Sequence, residues 1–314
     1  MQIRWDVTHS IVTFLSIAMA TASVGLAQRG PQPTTPREDD VKKVEAALPD
    51  SAPAKPQKAR KVLIFGRAVG FVHSSIPLGC KTIELLGKKT SAYDSVISFD
   101  PTIFDKSLDE FDGLVLVSTT GDVMDDRSDK ARSEKRREAL RTFVEGGKGV
   151  VGIHAACDAY YLWPQYGEIL GGYFSQHQKQ NEEVSIVNED PKNAINAAFD
   201  GKGLEFADEI YRFLPNQVNW GRGPAGAKQA YDRSKLHILL SIDSTKHHNP
   251  PEGVDMPVAW CHEVGKGREF YCSLGHNEYV YYNPTVQKYY LAGIQYALGD
   301  LKADDKPGEK TAAK

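Results

Sequence analysis

Gly-Gly-Lys-Gly-Val-Val-Gly-Ile-His-Ala-Ala, residues 146–156, is the stretch that decides the fold. Its first glycines end an amphipathic helix, and the apolar run 149–153 is typical of a strand buried on both faces. His154 ends this strand, and the small residues Ala155 and Ala156 allow a sharp turn from strand to helix. The stretch therefore predicts a buried parallel strand that holds one imidazole at its carboxyl end.

The first half of the chain repeats this pattern of strand and helix. Short apolar runs predict strands at 61–66, 95–99 and 113–118, and amphipathic patterns predict helices at 75–86 and 127–145. Alternation of this kind is typical of a parallel sheet covered by helices on both faces.

The second half contains strands with fewer helices between them. Strands are predicted at 183–187, 236–242, 257–263 and 269–273, and a closing amphipathic helix at 284–298. The last two strands are joined through Val-Gly-Lys-Gly, which predicts a β-hairpin. The expected fold is therefore α/β, with a mostly parallel sheet, helices on both faces and an added β-hairpin in the C-terminal half.

The two ends of the chain differ in composition from its centre. Residues 11–27 are uncharged, largely apolar and end in small residues, which predicts a signal peptide at 1–27; an uncleaved N-terminal anchor is the alternative. Residues 28–60 and 302–314 are rich in Pro, Ala and charged residues, and they are predicted to be a disordered linker and a disordered tail. One domain remains at 61–301. We expect an exported protein, periplasmic or extracellular, with no integral membrane domain beyond that anchor.

Charge and cysteine content exclude several classes of protein. The 38 Lys and Arg residues are balanced by 41 Asp and Glu residues and form no basic groove, so nucleic acid is not an expected partner. The four cysteines are too dispersed for a disulfide framework and form no CxxC metal motif. Cys261 and Cys272 flank the predicted hairpin, and either a disulfide or two buried thiols agrees with the sequence.

Three histidines lie at the carboxyl ends of predicted strands, where ligands bind in open parallel sheets. His73 is in the loop after the first strand, His154 ends the strand described above, and His276 follows the last strand. Hydrolases place a nucleophile at a turn like that of His154, but imidazole is better suited to proton transfer or metal binding. A His that is merely hydrogen-bonded is the alternative. Glu278 is close enough in sequence to orient His276 or to supply a second carboxylate.

His177, Asp208 and Glu209 are weaker candidates, since each taken alone would more often be a surface residue. Gathered with the other histidines at one sheet edge, they would form a usable acid–base or metal set. Zinc takes three protein ligands and keeps one position open. The candidate ligands of a divalent metal such as zinc are His73, His154, His177 and His276.

Aromatic residues are numerous near these segments. Sugar rings present apolar C–H faces that stack on aromatic rings, so a carbohydrate is a suitable ligand, although core packing explains most of these residues equally well. The candidates for substrate binding are Trp163, Tyr211 and Trp260, together with His73.

Five motifs, taken in order, resemble those of the ThuA-like (trehalose utilisation) family. They are Gly70-Phe-Val-His-Ser-Ser-Ile76, Gly146-Gly-Lys-Gly-Val-Val-Gly-Ile-His154, Leu170-Gly-Gly-Tyr-Phe-Ser-Gln-His177, Asp208-Glu-Ile-Tyr211 and Gly265-Lys-Gly-Arg-Glu-Phe-Tyr-Cys-Ser-Leu-Gly-His276. The resemblance covers about residues 61–301. It implies a fold like that of the class I glutamine amidotransferases, which is flavodoxin-like, and a substrate among trehalose-related disaccharides and 3-keto-glycosides.

On this resemblance, His154 stands where the amidotransferases have a nucleophilic Cys, and His276-Asn-Glu278 stands where they have a His-x-Glu pair. Amidotransferase chemistry is therefore not expected, because Cys157 lies three residues beyond the turn. Val72 and Gln178 depart from the family pattern, in which Arg and Pro are common, and this puts an anion-binding role for the first loop in doubt.

The sequence leads to one main hypothesis and two alternatives. The main hypothesis is an enzyme that acts on a 3-keto glycoside by elimination, hydrolysis or isomerisation, with His154 and His276 as base and acid, and Asp208 or Glu209 as orienting group. His73 would be a ligand or an oxyanion partner. The alternatives are a non-catalytic sugar-binding or scaffold protein and a metal-dependent hydrolase.

Overall fold

A computed structural model describes residues 32–247 and 255–308 and shows one mixed sheet with helices packed on it. The nine strands of these residues are β1 (Lys61–Phe65), β2 (Asp94–Ser98), β3 (Gly113–Val117), β4 (Gly149–Ile153), β5 (Glu182–Asn188), β6 (Leu204–Asp208), β7 (His237–Ile242), β8 (Pro257–Val264) and β9 (Gly267–Cys272). The α-helices are α1 (Glu38–Ala47), α2 (Ile76–Thr90), α3 (Lys130–Glu145), α4 (Pro164–Leu170), α5 (Glu278–Tyr281) and α6 (Pro284–Ala297). Short 3-10 helices lie at Pro101–Asp105, His154–Cys157, Ala194–Phe199, Asn219–Gly221 and Arg233–Lys235.

The sheet has a parallel half and an antiparallel half. Its strand order is β2-β1-β3-β4-β9-β8-β7-β5-β6. The pairs from β2 to β9 are parallel, and the pairs from β9 to β6 are antiparallel. The α/β class and the β8–β9 hairpin are confirmed. The expectation of a mostly parallel sheet holds only for the first half, because the hairpin reverses the chain at β9 and its outer neighbours continue the antiparallel pairing.

Strand β4, which carries His154 at its carboxyl end, lies inside the parallel half, between β3 and β9. Its side chains alternate between two apolar clusters on opposite faces of the sheet. Val151 and Ile153 belong to a cluster with residues of α2 and α6, and Val150 belongs to one with residues of α3 and α4. Helices therefore cover both faces, and the carboxyl end of β4 is enclosed by the loops around it.

The predicted disordered linker at 28–60 is wrong for residues 32–60, which fold against the domain. Val41, Val44 and Leu48 have helical spacing and place α1 on the core, where Val44 is fully buried. The amide of Gln295 bonds the backbone of Ala54 as donor and acceptor, at 2.6 and 2.9 Å. The apolar face of α1 is narrow and interrupted by charged residues, so its period is easily missed in the sequence.

The predicted disordered tail at 302–314 is also wrong for the part that the structure describes. The backbone oxygen of Asp304 accepts a hydrogen bond from Asn193, and that of Lys306 lies 2.7 Å from His237 Nδ1. The predicted signal peptide and its alternative, an N-terminal anchor, lie outside the described residues. Across 32–247 and 255–308, no helix combines the length and apolar character that a membrane crossing needs.

The four cysteines are all buried free thiols. The register of the hairpin places Cys261 opposite Phe270 and Cys272 opposite Ala259, so the two thiols are not cross-strand neighbours. Of the two alternatives that the sequence left open, the structure shows the buried thiols.

The docked N-terminal segment leads to a prediction about stability. Arg60 donates to both carboxylate oxygens of Asp300, whose side chain is fully buried. Arg60→Ala removes the main cationic partner of this buried carboxylate. We therefore expect the free energy of unfolding, measured by urea denaturation, to fall by about 3 kcal/mol. The control is Arg37→Ala in the same segment, an exposed arginine that should change it by less than about 0.5 kcal/mol. Equal midpoints for both variants would contradict the docking.

Candidate functional site

His154 lies in a strained turn at the carboxyl end of β4. Its backbone has a φ of 50°, unusual for a residue with a side chain and typical of functional sites. The imidazole is fully buried, and its Nδ1 lies 2.7 Å from the backbone oxygen of Ser273, which follows the neighbouring strand β9. A carbonyl oxygen only accepts hydrogen bonds, so Nδ1 carries the proton. Nε2 of the neutral ring therefore presents its lone pair to the loops above the sheet.

His73, in the loop between β1 and α2, faces His154. The two Nε2 atoms are 3.2 Å apart, and both rings are buried. Burial lowers the pKa of each imidazole well below its ordinary value, and the neighbouring histidines lower it further. Both rings are therefore neutral at physiological pH, the form in which imidazole binds a metal.

Glu209 follows the edge strand β6 and joins the histidines together. One carboxylate oxygen, Oε1, lies 3.7 Å from His154 Nε2 and 3.3 Å from His276 Nδ1, and the other, Oε2, lies 3.4 Å from His177 Nδ1. Glu209, which taken alone would more often be a surface residue, is buried here, since only 4% of it is exposed. Strand β6 was not predicted from the sequence, and it is this strand that carries Glu209 inward.

Asp208 is also buried, but its carboxylate faces the loop after β9. It accepts hydrogen bonds from the backbone N–H groups of Gly275, His276 and Asn277, and from the Asn277 side chain. Burial raises the pKa of Asp208 to about 6, although these donors oppose the rise. Asp208 therefore positions the loop that carries His276, whereas Glu209 contacts the imidazoles themselves.

His276 belongs to this loop, and its Nδ1 lies 3.3 Å from Glu209 Oε1. Burial lowers the pKa of its imidazole, but the adjacent carboxylate of Glu209 outweighs burial, and the net shift is upward. The loop requires glycine at position 275, where φ is 138° and a Cβ atom would lie 2.9 Å from the Tyr281 hydroxyl. Glu278, predicted to orient His276 or to supply a second carboxylate, instead accepts a hydrogen bond from Ser74 at 2.6 Å. Glu209 has the orienting position.

Four of these residues fit a divalent cation. The donor atoms of His73, His154, Glu209 and His276 all lie within 4.8 Å of one another. Three of their six separations are 3.2, 3.7 and 3.3 Å, which compare with about 3.3 Å between two ligands of a tetrahedral ion that holds each at about 2.0 Å. Within the described residues, His276 Nδ1 lies 3.3 Å from Glu209 Oε1 without forming a hydrogen bond to it. His177, a predicted ligand, lies outside this set, and its ion-pair contact with the set is to the second oxygen of Glu209.

The fold and this site can be compared with known proteins. The model of the ThuA family, described as trehalose utilisation, matches residues 61–297. The chain belongs to the ThuA family. A putative ThuA-like protein from Bacteroides uniformis is 20% identical, with a TM-score of 0.57 and coverage of 78% of this chain and 94% of that chain. A second one, from Parabacteroides merdae, is 20% identical, with a TM-score of 0.51 and coverage of 82% and 96%. No protein of curated function matches this chain.

The aromatic residues of this ThuA-family chain are distributed differently from the sequence-based expectation. Tyr211 is buried against His154, with ring centroids 4.5 Å apart, and forms a wall of the site. Trp260 is fully buried, stacks on Tyr271 and donates its N–H to the Leu170 backbone, so it cannot reach a substrate. A core position explains this tryptophan completely.

Trp163 also lies away from the histidines of the ThuA-family site. It packs on Tyr160 and Tyr166 and lines a cavity of about 1250 Å³, together with Arg67 and Asp122. Two aromatic residues that were not chosen lie closer: Phe71 contacts the ring of His73, and Trp220 contacts the ring of His177. The sequence offered one signal for Phe71, its place two residues before His73.

Cys157 does not replace the missing nucleophile. Its Sγ atom is fully buried and lies 3.1 Å from the hydroxyl of Tyr271, which in turn donates to the His154 backbone. Burial raises the pKa of the thiol well above its ordinary value. The protonated thiol is a poor nucleophile, and its role in this ThuA-family chain is to pack beneath the turn.

Proposed function

We propose that this chain is a carbohydrate-processing enzyme that acts on a 3-keto glycoside with the help of a divalent cation. The single observation that carries the proposal is the convergence of three imidazoles and one carboxylate, from His73, His154, His276 and Glu209, at the carboxyl edge of the sheet. Membership of the trehalose-utilisation family supports a carbohydrate as the substrate class.

A ketone at C3 of a sugar ring makes the proton on C2 acidic, because its removal gives an enolate. From the enolate, the bond between C1 and the glycosidic oxygen can break, so that the C2 proton goes to a base and the leaving alcohol takes up a proton. The cation would supply Lewis-acid stabilisation of the negative charge that develops on the C3 oxygen. Elimination of this kind therefore needs one such stabiliser and one proton-transferring group.

His177 is the best-placed proton-transferring group in this proposal. It is partly exposed, with 27% of its side chain accessible, and its Nδ1 contacts Glu209 Oε2. His154 and His276 were the acid–base pair in the hypothesis from sequence, but here their nitrogens belong to the donor set, and His154 Nδ1 is fixed by Ser273. We therefore assign His154 and His276 to cation binding. Proton transfer is assigned to His177, which Glu209 orients.

We further propose that the parallel half of the sheet is flavodoxin-like. The parallel half has the order β2-β1-β3-β4-β9, which is the order of flavodoxin-like sheets when β9 is counted as the fifth strand. This order supports a relation to class I glutamine amidotransferases, with His154 in place of their nucleophile.

Export is a further part of the proposal and rests on the apolar stretch at 11–27. An exported enzyme would meet its substrate outside the cytoplasm. Mass determination of the mature chain from periplasm and medium tests it: cleavage near residue 27 supports a signal peptide, and an intact N-terminus in the cytoplasm contradicts export.

The deciding experiment combines elemental analysis with turnover. The chain is purified and dialysed without chelator, its metal content is measured, and 3-ketotrehalose and trehalose are compared as substrates. We expect about one divalent ion per chain, turnover of the 3-keto sugar only, and loss of activity on chelation that the metal restores. A metal-free chain that still turns over would support direct acid–base catalysis by the histidines and overturn the cation. Sugar binding without turnover under any metal would leave a binding protein.

A further inference from the structure

Two large aromatic residues are exposed at the edge of the histidine site. Phe71 is 45% exposed, and its ring centroid lies 4.7 Å from that of His73. Trp220 is 43% exposed, and its ring centroid lies 5.0 Å from that of His177. Large apolar side chains with this exposure are few among the described residues; the others are Val96 and Leu162. Two aromatic rings beside one polar site are therefore not explained by core packing.

The backbone at Trp220 gives a second, independent reason to regard its position as functional. Trp220 has a φ of 58°, and Asn219 before it has a φ of 43°, so both lie in the left-handed region without being glycine. A bulky side chain in this region carries backbone strain. The backbone N–H groups of Asn219 and Trp220 donate to the backbone oxygens of Phe174 and Ser175 and hold this turn. The indole itself is 43% exposed, and its ring contacts are the edge of His177 and the ring of Phe174.

Polar residues adjoin His73 and His276 in the sequence. Ser74 follows the loop of His73 and donates to Glu278, and Asn277 lies between His276 and Glu278 with its side chain partly exposed. Hydroxyl, carboxylate and amide groups are the partners that sugar hydroxyls need. Apolar rings with a few polar groups beside them are the composition expected of a carbohydrate site.

We propose that Phe71 and Trp220 are substrate-binding residues that stack on a pyranose ring and hold it over the histidine site. This inference rests on the proposed function and adds to it the class of substrate, a glycoside with an exposed apolar ring face. Phe71 lies beside a predicted cation ligand and Trp220 beside the proton-transferring His177, so a sugar ring between them would have its reacting carbons within reach of both.

The test uses the full chain and four variants: Trp220→Ala, Trp220→Phe, Phe71→Ala and, as a control, Leu162→Ala. Leu162 is 61% exposed but lines the separate cavity near Trp163. KM and kcat for 3-ketotrehalose, the metal content, and the change of tryptophan fluorescence on titration with unoxidised trehalose are measured. Removing one stacked ring should raise KM about five- to tenfold with the metal content unchanged. Trp220→Phe should retain most of the affinity, and Leu162→Ala should match the unmodified chain.

The outcomes separate this inference from the proposed function. An unchanged KM in both alanine variants, with turnover intact, overturns the stacking role and leaves the reaction standing. In another outcome, the unmodified chain shows no turnover, but trehalose quenches its fluorescence. If this quenching is lost in Trp220→Phe and weakened in Phe71→Ala, the reaction is overturned and the stacking role is supported. A loss of metal in Trp220→Ala contradicts the inference, since it would make this residue part of the cation site.

Discussion

Glu209→Gln is expected to weaken binding of the proposed cation and to lower the proposed turnover strongly while the chain remains folded. Glu209 is the only carboxylate among the four converging residues, and its two oxygens contact three histidines. An amide keeps the size of the side chain but removes its charge and turns one acceptor into a donor that faces a neutral imidazole. We expect the affinity for the metal to fall by at least 10- to 100-fold and turnover by at least about 100-fold.

The matched control is the same substitution at Glu138, an exposed residue of α3 whose partner is Arg141. Glu138→Gln should leave metal affinity and turnover unchanged. Metal binding is measured by competition with a chromophoric chelator, and folding by circular dichroism. Full metal content in Glu209→Gln would exclude the carboxylate as a ligand and leave a site of three histidines. Metal content and turnover both at the level of the control would remove Glu209 from the chemistry.

The strands of the parallel half were predictable because each is encoded locally. An uninterrupted apolar run next to glycine, as in β1, β3 and β4, has few alternatives to a buried strand. The positions of His73, His154 and His276 follow from the same logic, since the carboxyl ends of neighbouring parallel strands meet at one edge. The structure does bring these three histidines together, and His154 adopts the strained turn that Ala155 and Ala156 suggested.

The parts of the site that were missed depend on contacts distant in sequence. Glu209 is buried because β6 pairs with β5 at the far edge of the sheet, and the sequence of β6 has no distinctive pattern. Trp260 and Trp220 could not be separated by composition, yet one is in the core and the other is exposed. The fold of 32–60 depends on partners such as Gln295 and Asp300, more than 200 residues away. Local sequence patterns therefore predict the strands and the histidines at their ends. The burial of Glu209 and the exposure of Trp220 depend on tertiary contacts that these patterns do not contain.

Asp208→Ala is expected to have the largest effect on stability and to weaken the site indirectly. The substitution leaves three backbone N–H groups of the loop 275–277 without an acceptor and removes one of the acceptors of the Asn277 side-chain amide, which also donates to the Gln180 backbone. Buried donors without partners cost about 1–3 kcal/mol each and are not additive, so we expect the free energy of unfolding to fall by about 3–5 kcal/mol. Asp208→Asn retains one acceptor oxygen, so its free energy of unfolding should lie between those of the unmodified chain and Asp208→Ala.

A purely structural role and a positioning role differ in their effect on metal binding. Arg60→Ala is the control of similar stability loss, because Arg60 pairs with Asp300 in the docked N-terminal segment. If Asp208 positions the loop of His276, Asp208→Asn should lower the affinity for the metal about tenfold or more, as loss of an outer-shell partner does, while Arg60→Ala leaves it unchanged. Equal affinities in the two variants would mean that Asp208 only stabilises the fold. The loop of His276 would then be held in place by its other contacts, among them the hydrogen bonds that Ser75 and Tyr281 donate to the backbone oxygen of Gly275.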